Sequence, residues 1–390
     1  MTFEFIQEIE NYKEPLIELR RELHQYPEAS YQEIETSAYI ERFLNNLEHA
    51  NVTRPTETSV MAIFKGKKGQ PKIGLRADID ALPIYEALSD LDYKSKIEGY
   101  MHACGHDGHT AMLMMACKWF NDHITQLDSD VYCIFQHAEE LSPGGARAIM
   151  ETGMLSELDF IYGQHLQPEL DVGYVDIKAG PVTTNSDDYK IIINGVGGHS
   201  YKPSRAVNPI NLASLIIQAI NEIPSQAINS QESVVISNTY IQSGNLEALN
   251  IISDQLVLAG SVRTFDKEIA DFIESRIYKI VEGVCAIHGA SFQFTYNKGA
   301  RAVINHTSSS HKVKKIAEEI KNNKVVSLKP AMFGEDFSAY SDKIPSTFVM
   351  MGSRSGEETS YPLHHPKFNI DESALMVGLK MLVAVVLNYK

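Results

Sequence analysis

The sequence has no run rich in lysine and arginine, no apolar stretch approaching the roughly 20 residues a membrane span requires, no internal repeat and no low-complexity tract. Its 35 basic against 50 acidic residues give a formal charge of −15, which argues against nucleic acid or an anionic membrane as partner and favours small molecules or peptides. Cysteine is sparse: Cys104, Cys117, Cys133 and Cys285 are four in 390 residues, not the framework of a small secreted domain and suited to a reducing cytosol. Cys117 and Cys133 sit in apolar patterns and read as buried thiols, whereas Cys104 has different neighbours. The opening stretch MTFEFIQEIENYKEPLIELRREL spreads acids among its apolar residues at helical spacing, so it is expected to be an amphipathic helix, unlike a secretion leader. The expectation is a soluble, cytoplasmic protein, long enough for two domains.

Residues 3–24 and 30–48 are expected to form amphipathic helices separated at HQYPEAS, where Pro27 resists continuation. Four segments, KIGLRADIDALP (72–83), DVYCIFQHAEE (130–140), LDFIYGQH (158–165) and STFVMMGS (346–353), each carry a short apolar run ending in polar or glycine-rich residues. They read as buried strands of a largely parallel sheet. TAMLMMACKWFNDHI and GGARAIMETGML have the spacing of covering helices, which completes an α/β alternation. From Tyr189 the order becomes β-α-β-β-α-β, through YKIIINGVGGH, a helix over 206–222, SVVISNTYIQSG, DQLVLAGSVRTF, a helix over 267–288 and ASFQFTYNK. Ile269, Ile273, Ile277, Ile280 and Val284 form one stripe on the second of those helices. The expected division is a domain of residues 1–183 and 299–390 interrupted by an inserted domain, 184–298. The α/β pattern resumes at HKVKKIAEEI and ends in a helix near 372–388.

In open α/β sheets ligands bind beyond the carboxyl ends of the strands, and here those ends carry Asp78, Asp80, Glu139, Glu140 and His165. In MHACGHDGHTAM (101–112), Cys104 and His106 flank a glycine ahead of a helix. Both can turn to one point, and the helix N-terminus favours a thiolate. Alone, such a pair reads more simply as a loop cysteine beside a solvated histidine, and His102 and His109 read as helix-flanking residues or partners of ligands. Glu139 and Glu140 leave their strand in opposite directions, which suits one to hold metal and the other to move protons; an isolated pair is a solvated strand end. Asp78 and Asp80 share one side of an extended segment with Arg76. Asp78 stands equally for an Arg76 ion pair or a functional role, and Asp80 is expected to orient a ligating histidine through its other nitrogen. His165 in YGQHLQP and His364 with His365 in PLHHPKF are each commonly structural when taken singly. With Cys104, His106 and a glutamate they make five donors from four sheet-edge segments, enough for two metal ions sharing one ligand.

RADIDALPI, MHACGHDGHT, the AEE of QHAEE, GGHSYKP, GEDFS and HHPKF stand in the order and approximate spacing of a known family. The chain closely resembles the dinuclear metallopeptidases of the aminoacylase and carboxypeptidase G type, in particular their amidohydrolase subgroup of N-acyl-amino-acid, hippurate, N-acetyl-diaminopimelate and auxin-conjugate hydrolases. The resemblance covers essentially the whole chain, and MHACGHDGHT is a specific signal within it. It implies an α/β fold of phosphorylase/hydrolase-like type, with a mixed, largely parallel sheet, helices on both faces and an inserted ferredoxin-like α+β lid that also forms a homodimer interface. It implies two divalent metal ions per subunit, zinc or manganese ahead of cobalt or nickel. Cys104 is then the shared thiolate, with His106 and Glu140 at one ion, His165 and His364 at the other, Glu139 as general base and Asp80 behind His106. His364 is preferred to His365 because the family's ligand stands two residues before the proline. The wider family's H-x-D motif reads Asp78-Ile79-Asp80 here, so His106 takes over that histidine's task. In the lid, His199 of GVGGHS matches a histidine that stabilises the oxyanion, often from the partner subunit. Asn250 and Arg263 match positions that hold a substrate carboxylate, although on sequence alone they are a turn residue and a solvated strand residue. Two departures, His137 where proline is usual and Gln164 where leucine is common, bear on the shape of the pocket.

The implied reaction is hydrolysis of the amide joining an acyl group to an amino acid or short peptide, by water activated between the two metals with Glu139 as base. Within the family the alternatives are a dipeptidase or aminopeptidase, or an N-acetyl-diaminopimelate deacetylase. Outside it they are a metal-free thiol hydrolase using Cys104 with His106 or His109, and an inactive metal-binding interaction protein.

Overall fold

The computed structural model describes residues 8–88 and 91–390; residues 3–7 of the first expected helix lie outside that range. Apolar spacing makes α1 (Lys13–Gln25) bury Leu16, Leu19 and Leu23, and Pro27 follows its end. Glu28 then accepts hydrogen bonds from the amides of Glu35 (3.2 Å) and Thr36 (2.7 Å), which satisfies the first turn of α2 (Ile34–Asn45). The chain continues through β1 (Asn51–Thr53), β2 (Val60–Phe64), β3 (Ile73–Asp78), α3 (His106–Asp122), β4 (Val131–Gln136), α4 (Gly145–Glu151), β5 (Phe160–Asp171) and β6 (Tyr174–Asp176). Next come β7 (Asn185–Asn194), α5 (Pro209–Gln226), β8 (Val234–Ser243), β9 (Gln255–Thr264), α6 (Lys267–His288) and β10 (Ser291–Lys298). The last elements are α7 (Thr307–Glu319), β11 (Lys324–Val326), β12 (Ser346–Arg354) and α8 (Ser373–Asn388). Two compact units result, one comprising the chain up to Val182 with Val303–Lys329 and Asp336–Lys390, the other Thr183–Ala302 with Pro330–Glu335.

The first unit holds an eight-stranded sheet in the order β1-β2-β4-β3-β5-β12-β6-β11. β3 runs parallel to β4 and β5, and β12 parallel to β5, while β1 and β2 form an antiparallel edge. Every residue of β3 and β4 is buried, as expected of strands covered on both faces, which is why these two segments read as near-continuous apolar runs. α3 packs against α1 and α8 and carries the fully buried Trp119. A Cβ at Gly378 would meet Met112 Sδ at 2.2 Å, so the missing side chain is what lets α8 cross α3 so closely. The short strands β1, β2, β6 and β11 were not anticipated, because three to five residues carry too little periodicity to stand out.

The second unit is an antiparallel sheet in the order β8-β9-β7-β10 with two helices on it. Ile191 and Ile193 of β7 and Leu256 and Leu258 of β9 alternate inward against Ile216 and Ile220 of α5 and Ile273 and Ile277 of α6. The buried stripe of α6 runs through Ala270, Ile273, Ile277, Val281 and Cys285, leaving Ile269, Ile280 and Val284 on its flank, one position from the expected line. Among the described residues no helix is long and apolar enough to cross a membrane.

A buried ionic cluster ties α1 to the first turn of α3. Asp107 accepts from Arg20 Nε at 2.8 Å and stands 2.7 Å from His24 Nδ1. Burial alone would raise the Asp107 pKa, but Arg20 and His24 outweigh it and hold the carboxyl well below the usual range. Asp107→Ala leaves Arg20 buried without its main partner and is expected to cost about 3–5 kcal/mol in equilibrium urea unfolding. A loss under about 1 kcal/mol, the range of an exposed pair, contradicts that account.

Candidate metal centre

β3 delivers Asp78, the turn after β4 delivers Glu139 and Glu140, and α3 begins at His106, so these side chains meet at one sheet edge. His165 lies inside β5, which runs on to Asp171 rather than ending at the histidine. The imidazoles of His106 and His165 are each oriented through one nitrogen. His106 Nδ1 donates to the Asp80 carbonyl (2.9 Å) and lies 3.1 Å from its carboxylate, which turns Nε2 inward. That Nε2 is buried without a hydrogen-bond partner, 3.6 Å from Asp78 Oδ2 and 4.0 Å from Glu140 Oε1. His165 Nδ1 donates to the carbonyl of Leu166 (2.7 Å), and its Nε2 stands 3.4 Å from Cys104 Sγ. His364 sits in a left-handed backbone conformation, φ 64°, and its amide donates to the Ala103 carbonyl at 2.8 Å. This brings its Nε2 to 3.0 Å from Glu140 Oε1.

The donors fall into overlapping groups. Cys104, His106 and His165 offer atoms all within 4.8 Å of one another, as do Cys104, Glu140 and His364, and likewise His106, Glu139 and Glu140. Cys104 is common to the first two, as a shared ligand must be. His106 stands near both His165 and Glu140, and the Ala103–His364 hydrogen bond seats His364 beside Glu140, so the five donors can be divided between two ions in more than one way.

Thiol, imidazole and carboxylate together suit a divalent transition ion, and a partnerless buried imidazole nitrogen between two carboxylates fits one chemically. The electrostatics agree. Burial, then Glu140, Glu139 and Asp78, push the Cys104 thiol well up. Burial would lower His106, but Asp78, Asp80 and Glu140 lift it to about 10. Both shifts express an excess of acidic groups that a cation would offset. They also count against a metal-free cysteine nucleophile, which needs a depressed thiol pKa.

The family model for peptidase family M20/M25/M40 matches residues 74–388. The chain belongs to this family. It is 38% identical to an N-acetylcysteine deacetylase of Bacillus subtilis, over 93% of each chain. It is 36% identical to an N-acyl-L-amino acid amidohydrolase of Geobacillus stearothermophilus, over 76% of this chain and 80% of that one. The crystal structure of the Bacillus subtilis YXEP protein, described as a dinuclear metal-binding peptidase from the M20 family, superposes with a TM-score of 0.83 at 34% identity, covering 97% of this chain and 98% of that one.

Around the donors, this M20-family chain builds a support that sequence reading caught only in part. Asp80 Oδ2 accepts from Ser30 Oγ (2.7 Å) and from the Glu140 amide (3.0 Å), so one carboxylate braces both His106 and the glutamate turn. Asp78 joins both of its proposed roles, pairing with Arg76 (2.7 Å) and with His109 Nδ1 (2.6 Å). His109 Nε2 in turn accepts from the Leu166 amide at 2.9 Å, which anchors the backbone next to His165. The i,i+3 spacing from His106 was the available signal for this role. Asp336 was given no role of its own within GEDFS, yet it accepts from Gln136 (2.8 Å), Arg76 (2.9 Å) and the Ala146 amide (3.0 Å), partners far away in sequence. His102 is buried with neither ring nitrogen hydrogen-bonded, and burial pushes it down to about 4.

Of the two departures, Gln164 accepts from Tyr162 and points its amide at Met112 of α3, on the side of β5 opposite His165. His137 lies 3.3 Å from Thr56 Oγ1 and edge-on to Tyr31. His365 stacks on Tyr361. In the second unit His199 pairs across a short ladder with Ile251, next to Asn250; both are exposed, and Arg263 donates to the carbonyls of Asp187 (3.3 Å) and Val262 (3.1 Å).

Because Cys104 and His106 both hold protons near neutral pH without metal, zinc binding is expected to release about two protons per chain, and about one fewer in Cys104→Ser. Calorimetry in buffers of different ionisation enthalpy reads this directly. Identical release by the two proteins contradicts the role of Cys104.

Proposed function

We propose that this M20-family hydrolase cleaves the amide bond between an acyl group and an amino acid or short peptide, using two divalent ions, zinc or manganese in preference to cobalt or nickel. The observation that carries the reading is the position of Glu139, within 4.8 Å of His106 and Glu140 beside donor groups that share Cys104. The deacetylase and N-acyl-amino-acid amidohydrolase among its relatives support the substrate class.

Cys104, His106 and His165 would hold one ion, and Cys104, Glu140 and His364 the other. Bound there, divalent ions make hydroxide available near neutral pH and polarise the acyl carbonyl. Glu139 accepts the proton from attacking water as its oxygen bonds to the acyl carbon, then delivers that proton to the nitrogen as the C–N bond breaks. A positioned group of this kind contributes roughly 10²–10⁴ in rate. Asp80 keeps His106 in the tautomer that presents Nε2.

His199 serves as the oxyanion donor, and Asn250 and Arg263 receive the substrate carboxylate; the resemblance supports all three. The second unit acts as lid and homodimer interface, also by resemblance. Cytoplasmic location is supported by the four cysteines, none of which is in a disulfide.

Glu139→Gln should retain two equivalents of metal and lose at least about 10²-fold in turnover of N-acetyl amino acids. Turnover like the wild type in the metal-loaded variant removes Glu139 as base. Chelation should abolish activity, whereas survival in EDTA restores the thiol-hydrolase reading. Across N-acetyl, N-benzoyl and dipeptide substrates, kcat/KM should be highest for an N-acyl amino acid; a preference for dipeptides selects the peptidase alternative.

A further inference from the structure

Glu33 is a fully buried carboxylate that the mechanism above does not use. It occupies the N-cap position of α2 yet makes no capping hydrogen bond, since Glu28 serves the amides of Glu35 and Thr36 instead. Its side chain turns away from the helix, and Oε1 accepts from the amide of Ala138 at 2.7 Å. Ala138 immediately precedes Glu139 and holds φ at 48°, a left-handed conformation that is strained for a residue with a Cβ. Such a conformation persists only where its surroundings impose it.

The surroundings here are specific. The Gly145 amide donates to the Ala138 carbonyl at 3.0 Å, and a Cβ at Gly145 would meet the His137 carbonyl oxygen at 1.9 Å, so only glycine permits this close approach. Two residues on, the Glu140 amide donates to Asp80 at 3.0 Å. The amides flanking Glu139 in the turn, those of Ala138 and Glu140, are therefore each held by a buried carboxylate. Ser30, three residues before Glu33, hydrogen-bonds the same Asp80 at 2.7 Å, so one short segment braces both ends of the turn.

We propose that Glu33 is a positioning residue for the Glu139 base: by clamping the Ala138 amide it maintains the left-handed turn that aims Glu139 at the reacting centre. This rests on the reading of Glu139 as base. Loss of the clamp lets Ala138 relax toward negative φ and swings the Glu139 Cα–Cβ direction, and a displacement of about 1 Å at a catalytic group costs on the order of 10²-fold. Ala138 uses an acceptor oxygen rather than a full charge. Burial, with Asp80 nearby, raises the Glu33 carboxyl to about 7, so glutamine is a close replacement.

The test compares Glu33→Ala and Glu33→Gln with Glu139→Gln, all full-length and metal-loaded, by kinetics, metal content and amide hydrogen exchange. Glu33→Ala should lose roughly 10–100-fold in kcat with KM within about twofold and two metal equivalents retained, while the Ala138 amide exchanges at least about 10-fold faster. Glu33→Gln should stay within about threefold of the wild type in kcat and in exchange, a rescue that loss of bulk packing does not predict. Unchanged kcat in Glu33→Ala, unchanged exchange at Ala138, or a Glu33→Gln as impaired as the alanine variant each overturns the proposal. Should Glu33→Ala fail to fold, a Glu33→Gln that retains kcat supports it and one that loses kcat overturns it. A fully active Glu139→Gln instead refutes the base assignment, which separates that failure from a failure of the clamp.

Discussion

Asp78, Asp80, Glu139 and Glu140 converge with a cysteine on His106 at one edge of a sheet, and the rest of the first unit is organised around making that concentration of acid tolerable. Four carboxylates and a thiol brought out of water repel one another and lose hydration, so they need cations or an exact set of donors. The protein supplies many of these donors itself. Arg76, Ser30, His109 and backbone amides satisfy Asp78 and Asp80, while the Nε2 of His106 faces inward unpartnered. What is left over at the centre is a set of soft and borderline donors converging from several chain segments, the chemistry of a divalent metal pair.

The sheet makes this convergence possible. Parallel strands β4, β3, β5 and β12 lie side by side, so turns far apart in sequence open at the same edge, and α3 starts there with its first turn. Rigidity comes from behind. Close crossing of α8 on α3 at Gly378 and the Arg20–Asp107–His24 cluster fix the helix that carries His106 and His109, and the turn at Ala138 is fixed from the side of Glu33. Loops alone would not hold donors this precisely, because each loop connection is soft unless several side chains pin it.

Much of the arrangement could be read from the chain. The four long apolar strands, the covering helices and the β-α-β-β-α-β segment announced themselves by period and length, and the candidate donors by their residue types and clustering, although His165 lies within its strand and not at its end. What escaped was whatever depends on distance rather than pattern. The edge strands are too short to show alternation. The carboxylate of Glu33 carries no local pattern, and its partner lies 105 residues away. Asp336 belongs to a recognisable GEDFS segment, but its partners Arg76 and Gln136 come from distant strands. Which donors stand side by side depends on distance too: the hydrogen bond from His364 to Ala103 is what sets His364 beside Glu140.

The central claim is that two ions sit among these donors and share Cys104. Anomalous diffraction at the zinc edge from crystals of the zinc-loaded protein tests it most directly. The account predicts two peaks per chain, one bounded by Cys104, His106 and His165 and the other by Cys104, Glu140 and His364. Zinc bound only elsewhere on the surface, with these five side chains uncoordinated, contradicts it.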